Sequence, residues 1–203
     1  MARELTLPGS EYAKRRSQMI HALELAIDRG ATPTGQDEPL AHHLNLAREL
    51  IDSSGTLDSI EGLTFSVAQA DHHARRDHSA RHLWERLVDH RRSTAGPDHP
   101  DTLNALNTLA VTYTHLGRHQ DALTLNEQVA ADRQRVLGDD HPDTFDALGN
   151  LANTYTHLGR RQDALTLNEQ VAADRQRVLG DDHPDTLTAV SYTHLTLPTS
   201  DLV

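Results

Sequence analysis

The apolar positions of the chain recur with helical spacing over most of its length. Between Asp98 and Gly117 they follow one another at steps of one or three residues, which places them on one face of a helix: Leu103, Leu106, Leu109, Ala110, Tyr113 and Leu116. Pro100 suits the first turn of that helix, and Gly117 suits its end. A second, longer apolar pattern runs from Ala122 to a stop at Gly138. Because the connection is short, the pattern predicts two antiparallel helices.

This helical hairpin is repeated along the chain. Residues 97–138 and 139–180 are identical at 35 of 42 positions. A weaker copy at 55–96 keeps four of the same residues in register: Ala68, Ala80, Glu85 and Gly96. A fixed period of this length is typical of stacked helical units that share one continuous core. The sequence therefore predicts an all-α array of three repeats, the first of them degenerate.

The segment before the repeats is also predicted to be helical. Within residues 1–54, amphipathic patterns cover 10–29 and 38–53, with a "GATPTGQDEP" breaker between them. This N-terminal region is either a decayed repeat or a cap, and the residues leave both alternatives open.

The C-terminal end departs from the repeat. Residues 181–189 match the start of a further repeat, which we expect to be truncated. The "YTHL" in the tail 190–203 follows Asp182 by ten residues, whereas the repeats have fifteen, so it is out of register. Val190 to Thr199 resembles the translation of a sequencing adapter. We expect the tail to be non-native, with an irregular natural C-terminus as the alternative.

The repeat residues carry a family resemblance. Leu109-Ala110, Tyr113, Gly117 and Ala122, with a long second helix and "LGDDHPDT" between units, closely resemble tetratricopeptide repeats of the 42-residue kinesin light chain type. The resemblance covers roughly residues 55–188. It implies a right-handed α-solenoid of antiparallel helix pairs that binds a peptide or partner protein in a concave groove lined by the first helices.

The sequence departs from the family at Asn126 and Asn168. The family usually places a large apolar or aromatic residue there, and both asparagines fall inside the apolar arc of the second helix. We therefore expect each of them to need a hydrogen-bond partner or partial exposure.

Differences between the two close copies cluster on one face. Four pairs lie together, roughly opposite the core stripe of the first helix, whereas 120–137 and 162–179 are identical: Asn104/Asp146, Asn107/Gly149, Thr108/Asn150 and Val111/Asn153. The resemblance places this face in the groove. The predicted partner-binding residues are Asn104, Asn107, Thr108, Val111, Thr114, His115, Asp146, Asn150, Asn153, Thr156 and His157. The alternative is drift at exposed positions.

Composition narrows the partners. The formal net charge of −11, concentrated in the C-terminal half, argues against a nucleic-acid partner. The absence of cysteine excludes disulfides and thiolate metal sites. No signal peptide and no apolar stretch of membrane-spanning length is found, so we expect a cytoplasmic protein without a membrane partner. Apolar residues of the last complete helix, at about 160–179, predict self-association or fraying at that end.

Histidines are the main candidates for metal chemistry. His78 and His82 stand at i, i+4, with His72 and His73 nearby, and such a pair could hold Zn²⁺ or Ni²⁺. No carboxylate completes an "HExxH" pattern, so we favour a solvated surface and predict no metal site. His99, His141 and His183 recur with "DHPDT" and are expected to be structural.

No enzyme active site and no cofactor is predicted within residues 1–188. The sequence has no GxSxG elbow and no cysteine nucleophile, and its single lysine, Lys14, follows Ala13 and so cannot belong to a Walker A loop.

The alternatives to an interaction module are a sensor or regulatory region of a larger bacterial signalling ATPase and a purely structural scaffold.

Overall fold

The computed structural model describes residues 9–30, 38–54, 57–181, 183–184 and 186–188. The regular elements in these ranges are α1 (Gly9–Gly30), α2 (Glu38–Asp52), α3 (Glu61–His73), α4 (Asp77–Thr94), α5 (Pro100–His115), α6 (His119–Leu137), α7 (Pro142–His157) and α8 (Arg161–Leu179). No strand occurs in them, which confirms the all-α fold. The predicted non-native tail, 190–203, lies outside the described residues.

The chain forms two compact units, with the boundary between His90 and Arg91. In the first unit, α1, α2 and α3 contact one another, and the two predicted N-terminal helices are present as α1 and α2. Phe65 of α3 meets the ring of Trp84 edge-on, with centroids 5.6 Å apart, and the Trp84 side chain is buried. Aliphatic residues complete this core: Ile27, Ala47, Ile51, Ile60, Leu63 and Val67.

The second unit is built by successive packing of α5, α6, α7 and α8, each on the next, with an additional contact between α5 and α7. The predicted stripe is buried at Leu103, Leu106, Leu109 and Ala110, and again at Phe145, Leu148, Leu151 and Ala152. This order of packing confirms the predicted stack of helix pairs. Within the described residues, no helix is long and apolar enough to cross a bilayer.

Histidine begins the first helix of each close repeat. His99 Nδ1 accepts the Asp101 backbone N–H at 3.2 Å, and His141 Nδ1 accepts that of Asp143 at 3.1 Å. Each contact satisfies one of the N–H groups that a helix start leaves without an intrahelical partner. His99 and His141 are therefore N-caps, and their predicted structural role is confirmed.

The turn from α5 to α6 depends on Gly117. Its φ of +73° lies in the left-handed region, where a Cβ would be strained. The Arg118 N–H reaches back to the Tyr113 carbonyl at 2.9 Å, and the Gly117 N–H reaches that of Thr114 at 3.0 Å. This pattern caps the end of α5 and reverses the chain within three residues.

Polar side chains join the start of each first helix of the close repeats to the residues just before it in the second unit. The buried Thr102 and Thr144 hydroxyls donate to the Gly96 and Gly138 carbonyls at 2.9 and 2.8 Å. Arg133 Nη1 donates to the Asp143 carbonyl at 2.7 Å, and Arg91, 42 residues earlier, donates to that of Asp101. Within the second unit, the Thr144 and Arg133 contacts hold the start of α7 against the end of α6.

The last helix is less covered than its copy. Asn126 of α6 is 2% exposed, whereas Asn168 at the same position of α8 is half-buried. Val178 is 39% exposed, but Val136 at the same position of α6 is 40% exposed, so that exposure belongs to the repeat itself. Self-association through α8 stays a prediction.

An arginine–aspartate pair recurs on the surface of both close repeats. Arg135 donates to both carboxylate oxygens of Asp98, and Arg177 does the same for Asp140. These hydrogen bonds lower the pKa of both carboxyls from the usual 3.8, against a smaller opposing effect of desolvation. A lowered pKa favours the folded state above the unfolded pKa, and that stabilisation is lost as pH falls through the folded pKa.

A carboxyl NMR titration below about pH 5 checks this effect. We expect Asp98 and Asp140 to titrate below 3.8 in the wild-type chain. Arg135→Ala should raise the pKa of Asp98, and Asp140, which pairs with Arg177, serves as the control. An Asp98 pKa that is unchanged by the substitution contradicts the assignment.

Candidate partner-binding face

The partner-binding residues predicted from the sequence lie on α5 and α7, the first helices of the two close repeats. On α5, Asn104 is exposed and the others are half-buried: Asn107, Thr108, Val111, Thr114 and His115. On α7, Asn150 is half-buried and the others are exposed: Asp146, Asn153, Thr156 and His157. We call this set the α5–α7 face. No member is fully buried, so the face is accessible to a ligand, and its role in binding stays a prediction.

Arginines of the second helices donate hydrogen bonds to Asn104 and Asp146, which occupy the same position of the face in the two repeats. Arg133 Nη2 donates to Asn104 Oδ1 at 2.7 Å, and Arg175 Nη2 donates to Asp146 Oδ1 at 2.6 Å. Arg133 is only 4% exposed, and burial lowers the pKa of its guanidinium from its ordinary value. The change from Asn104 to Asp146 therefore replaces a hydrogen bond to a neutral amide by an ion pair.

An amide bridge joins the two repeats across the middle of the face. Asn150 Nδ2 on α7 donates to Asn107 Oδ1 on α5 at 2.9 Å. Each asparagine side chain carries both a donor and an acceptor. The bridge therefore leaves the Asn107 NH₂ group and the Asn150 side-chain oxygen Oδ1 unused. It therefore holds one amide donor and one amide acceptor in fixed orientations.

Threonine hydroxyls on the face bond to their own helices. Thr108 Oγ1 donates to the Asn104 carbonyl at 3.0 Å, Thr114 Oγ1 to that of Ala110 at 3.1 Å, and Thr156 Oγ1 to that of Ala152 at 3.2 Å. Each hydroxyl proton is occupied by an i−4 carbonyl, which leaves the oxygen as an acceptor. These three residues can therefore receive hydrogen bonds from a ligand more readily than they can donate them.

The rim of the face contains a histidine stack that the sequence did not suggest. The ring of His157 lies parallel to that of His119 on α6, with centroids 4.9 Å apart and an interplanar angle of 7°. The only sign in the sequence is that His119 is one of the seven positions that differ between the close copies, with Arg161 as its counterpart. Nearby, the Arg118 guanidinium covers the Tyr113 ring at 4.4 Å.

The histidines weighed as metal ligands lie in the first unit. His78 and His82 are exposed on α4, His72 is half-buried, and His73 is exposed at the end of α3. The sequence interpretation of a solvated histidine-rich surface is consistent with this exposure, and the absence of a metal site stays a prediction.

Comparison with known proteins identifies the repeat. A family model described as tetratricopeptide repeat matches residues 102–143 and 144–185. A crystal structure from Podosopora anserina, described as kinesin light chain nearly identical TPR-like repeats, is similar with a TM-score of 0.73 and 26% identity. The alignment covers 89% of this chain and 85% of that one. No curated protein matches the sequence.

Two more distant structures share the fold. BtubC (BKLC) from P. vanneervenii has a TM-score of 0.64 at 15% identity, with 88% of this chain and 82% of that chain covered. A Rap protein complexed with competence and sporulation factor has a TM-score of 0.59 at 15% identity, covering 90% of this chain and 45% of that one. At this identity the likeness shows the fold alone.

Proposed function

Because the chain is a tetratricopeptide repeat protein, we propose that it is a protein-interaction module that binds an extended peptide or partner segment on the α5–α7 face. The proposal is a binding role without catalysis and without a cofactor. Support comes from the fold and from the Rap structure, which has the same fold and is a complex with competence and sporulation factor.

One observation carries the proposal. Three of the four asparagines of the face are held in place by the protein itself, through Arg133 at Asn104 and through the bridge between Asn107 and Asn150. An extended peptide exposes one N–H and one C=O per residue, and side-chain amides can pair with both. Because the amides are already oriented, a ligand does not have to order them, which reduces the entropic cost of binding.

Variation along the chain agrees with this role. Four of the seven differences between the close copies fall on the face, while the eighteen residues 120–137 are repeated without change at 162–179. The second helices include the arginines that hold the face, Arg133 and Arg175. The packing and the support are therefore constant, and the chemistry offered to a ligand differs between repeats.

Asn153 is the residue that tests the proposal most cleanly. It is exposed on α7 and takes no part in the amide bridge, so Asn153→Ala should leave the melting temperature unchanged. The probe is a peptide selected by the full chain from a random phage-displayed library. Loss of one or two amide hydrogen bonds should weaken its binding by about tenfold in a fluorescence anisotropy titration.

The matched control is Thr124→Ala, which removes an exposed side chain from α6, away from the face. It should bind the selected peptide with wild-type affinity. Peptides that bind Asn153→Ala as well as wild type would contradict the groove assignment. If no peptide is enriched at all, the purely structural scaffold is favoured instead.

A further inference from the structure

Gly149 opens a notch in the α5–α7 face. It is a half-buried residue in the middle of α7, and its counterpart on α5 is Asn107, which accepts the hydrogen bond of the amide bridge. A Cβ placed on Gly149 would meet no heavy atom within 4 Å apart from its chain neighbours and the backbone of its own helix. Space that the first repeat fills with an asparagine side chain is therefore empty in the second.

No backbone requirement explains this glycine. Gly149 lies inside a regular helix, away from both ends, and it is not among the residues with positive φ. Glycine in a helix interior is less favourable than alanine. No close packing explains it either, because nothing lies near the missing Cβ. Close approach of another backbone to the helix is one use of glycine at such an open position.

The groups around the notch are amides and one neutralised carboxylate. Asp146 and Asn153 lie one turn away on either side along α7, and Asn150 is the next residue. Arg175 pairs with Asp146, so the notch presents no unpaired arginine to a ligand. A ligand segment with acidic side chains would therefore gain no cationic partner here.

We propose that the main chain of an extended, uncharged peptide crosses α7 at Gly149, where a small residue of the peptide enters the notch. The Asn150 side-chain oxygen Oδ1, which the bridge leaves unused, accepts a backbone N–H of the peptide, and the Asn153 NH₂ group donates to a backbone carbonyl. The inference rests on the proposed function and adds the ligand class: a neutral segment with glycine, alanine or serine at the crossing point.

The test places at Gly149 the residue that its counterpart Asn107 has in the preceding repeat. Gly149→Asn fills the notch, and because asparagine is a better helix former than glycine, the melting temperature should stay the same or rise. Binding of a library-selected peptide by the full chain should fall by more than tenfold in anisotropy titrations. Gly149→Ala, which adds only a Cβ, should give a smaller loss. Thr124→Asn places the same side chain on an exposed position of α6 and should change nothing.

Four outcomes test this inference and the proposed function. Wild-type affinity for Gly149→Asn, together with weak binding by Asn153→Ala, would overturn the notch and keep the face. Wild-type affinity for both variants would overturn both. Selected peptides that carry aspartate or glutamate at the residue crossing Gly149 would also overturn the proposed ligand class. Loss of affinity on N-methylation of a single peptide amide would support the main-chain contact.

Discussion

Asp71→Ala is expected to lower the free energy of unfolding of the first unit by about 3 kcal/mol. The Asp71 side chain is fully buried, and both of its oxygens have partners. Arg48 of α2 donates to Oδ2 through Nε at 3.3 Å and to Oδ1 through Nη2, and the Ser79 hydroxyl of α4 also donates to Oδ2. Arg76 Nη1 lies 3.4 Å from Oδ1. One carboxylate thus joins three helices and a turn.

The size of the effect follows from what the substitution leaves behind. Removing one partner of a buried ion pair costs about 3–5 kcal/mol when the other charge stays buried. The Arg48 side chain keeps 24% of its surface exposed and that of Arg76 keeps 48%, so both guanidinium groups can recover part of their hydration. We therefore place the cost at the lower end of that range.

Trp84 makes the measurement specific. It is the single tryptophan of the chain, it is 1% exposed, and it lies in the first unit, so its fluorescence during urea unfolding reports on that unit. Asp58→Ala is the control, because it removes the same group from a side chain that is 73% exposed. It should change stability by less than about 0.5 kcal/mol. If Asp71→Ala behaves like this control, the buried ion pair does not stabilise the unit.

Asp71 also shows where sequence reasoning reaches its limit. In the 42-residue register it occupies the position of Tyr113 and Tyr155, and Arg76 occupies that of Arg118 and Arg160. In the close repeats the arginine covers the tyrosine ring, at 4.2 Å for Arg160 on Tyr155, whereas in the first repeat the arginine pairs with a carboxylate. The contact between the two positions is kept although its chemistry has changed. A comparison of residue identities counts this as a mismatch.

Local features were predictable because they depend on neighbours along the chain. The apolar spacing of three and four residues fixes the helices, and a recurring proline after histidine marks their starts, as the N-cap at His99 confirms. Contacts between distant residues were not predictable in this way. Asn107 and Asn150 are 43 residues apart, and Arg48 and Asp71 are 23 apart. Their pairing depends on how helices stack, and a single sequence does not specify which polar groups then meet.

The sequence predicted that Asn126 and Asn168, at the same position of the two second helices, would each need a hydrogen-bond partner or partial exposure. One of these outcomes occurs at each position. Asn126 is 2% exposed and has a partner, since its Nδ2 donates to Thr154 Oγ1 of α7 at 2.8 Å. Asn168 is half-buried instead. The sequence did not show that the Asn126 carbonyl oxygen is buried without a hydrogen-bond partner among the described residues.

Asn126→Leu is therefore expected to raise the free energy of unfolding of the second unit by about 2 kcal/mol. A buried acceptor without a partner costs about 1–3 kcal/mol, and leucine, which is branched in the same way but larger, removes that cost while adding buried apolar surface. Thr154 tolerates the change because its hydroxyl still donates to the Asn150 carbonyl at 3.0 Å. Urea unfolding followed by far-UV circular dichroism measures the change.

Substitution of the other partner, Thr154, should lower the free energy of unfolding, because Asn126 and Thr154 are not equivalent in this hydrogen bond. Thr154→Val leaves the buried Asn126 amide with only the Asn150 carbonyl, 3.5 Å away, and should cost about 1–2 kcal/mol. Asn168→Leu, at the half-buried copy, should change stability by less than Asn126→Leu. A loss of stability in Asn126→Leu would show that the hydrogen bond to Thr154 outweighs the unpaired oxygen. A gain would mean that this asparagine is maintained at a cost in stability, and a single buried polar contact that fixes the register of α6 on α7 is the physical benefit that such a cost can bring.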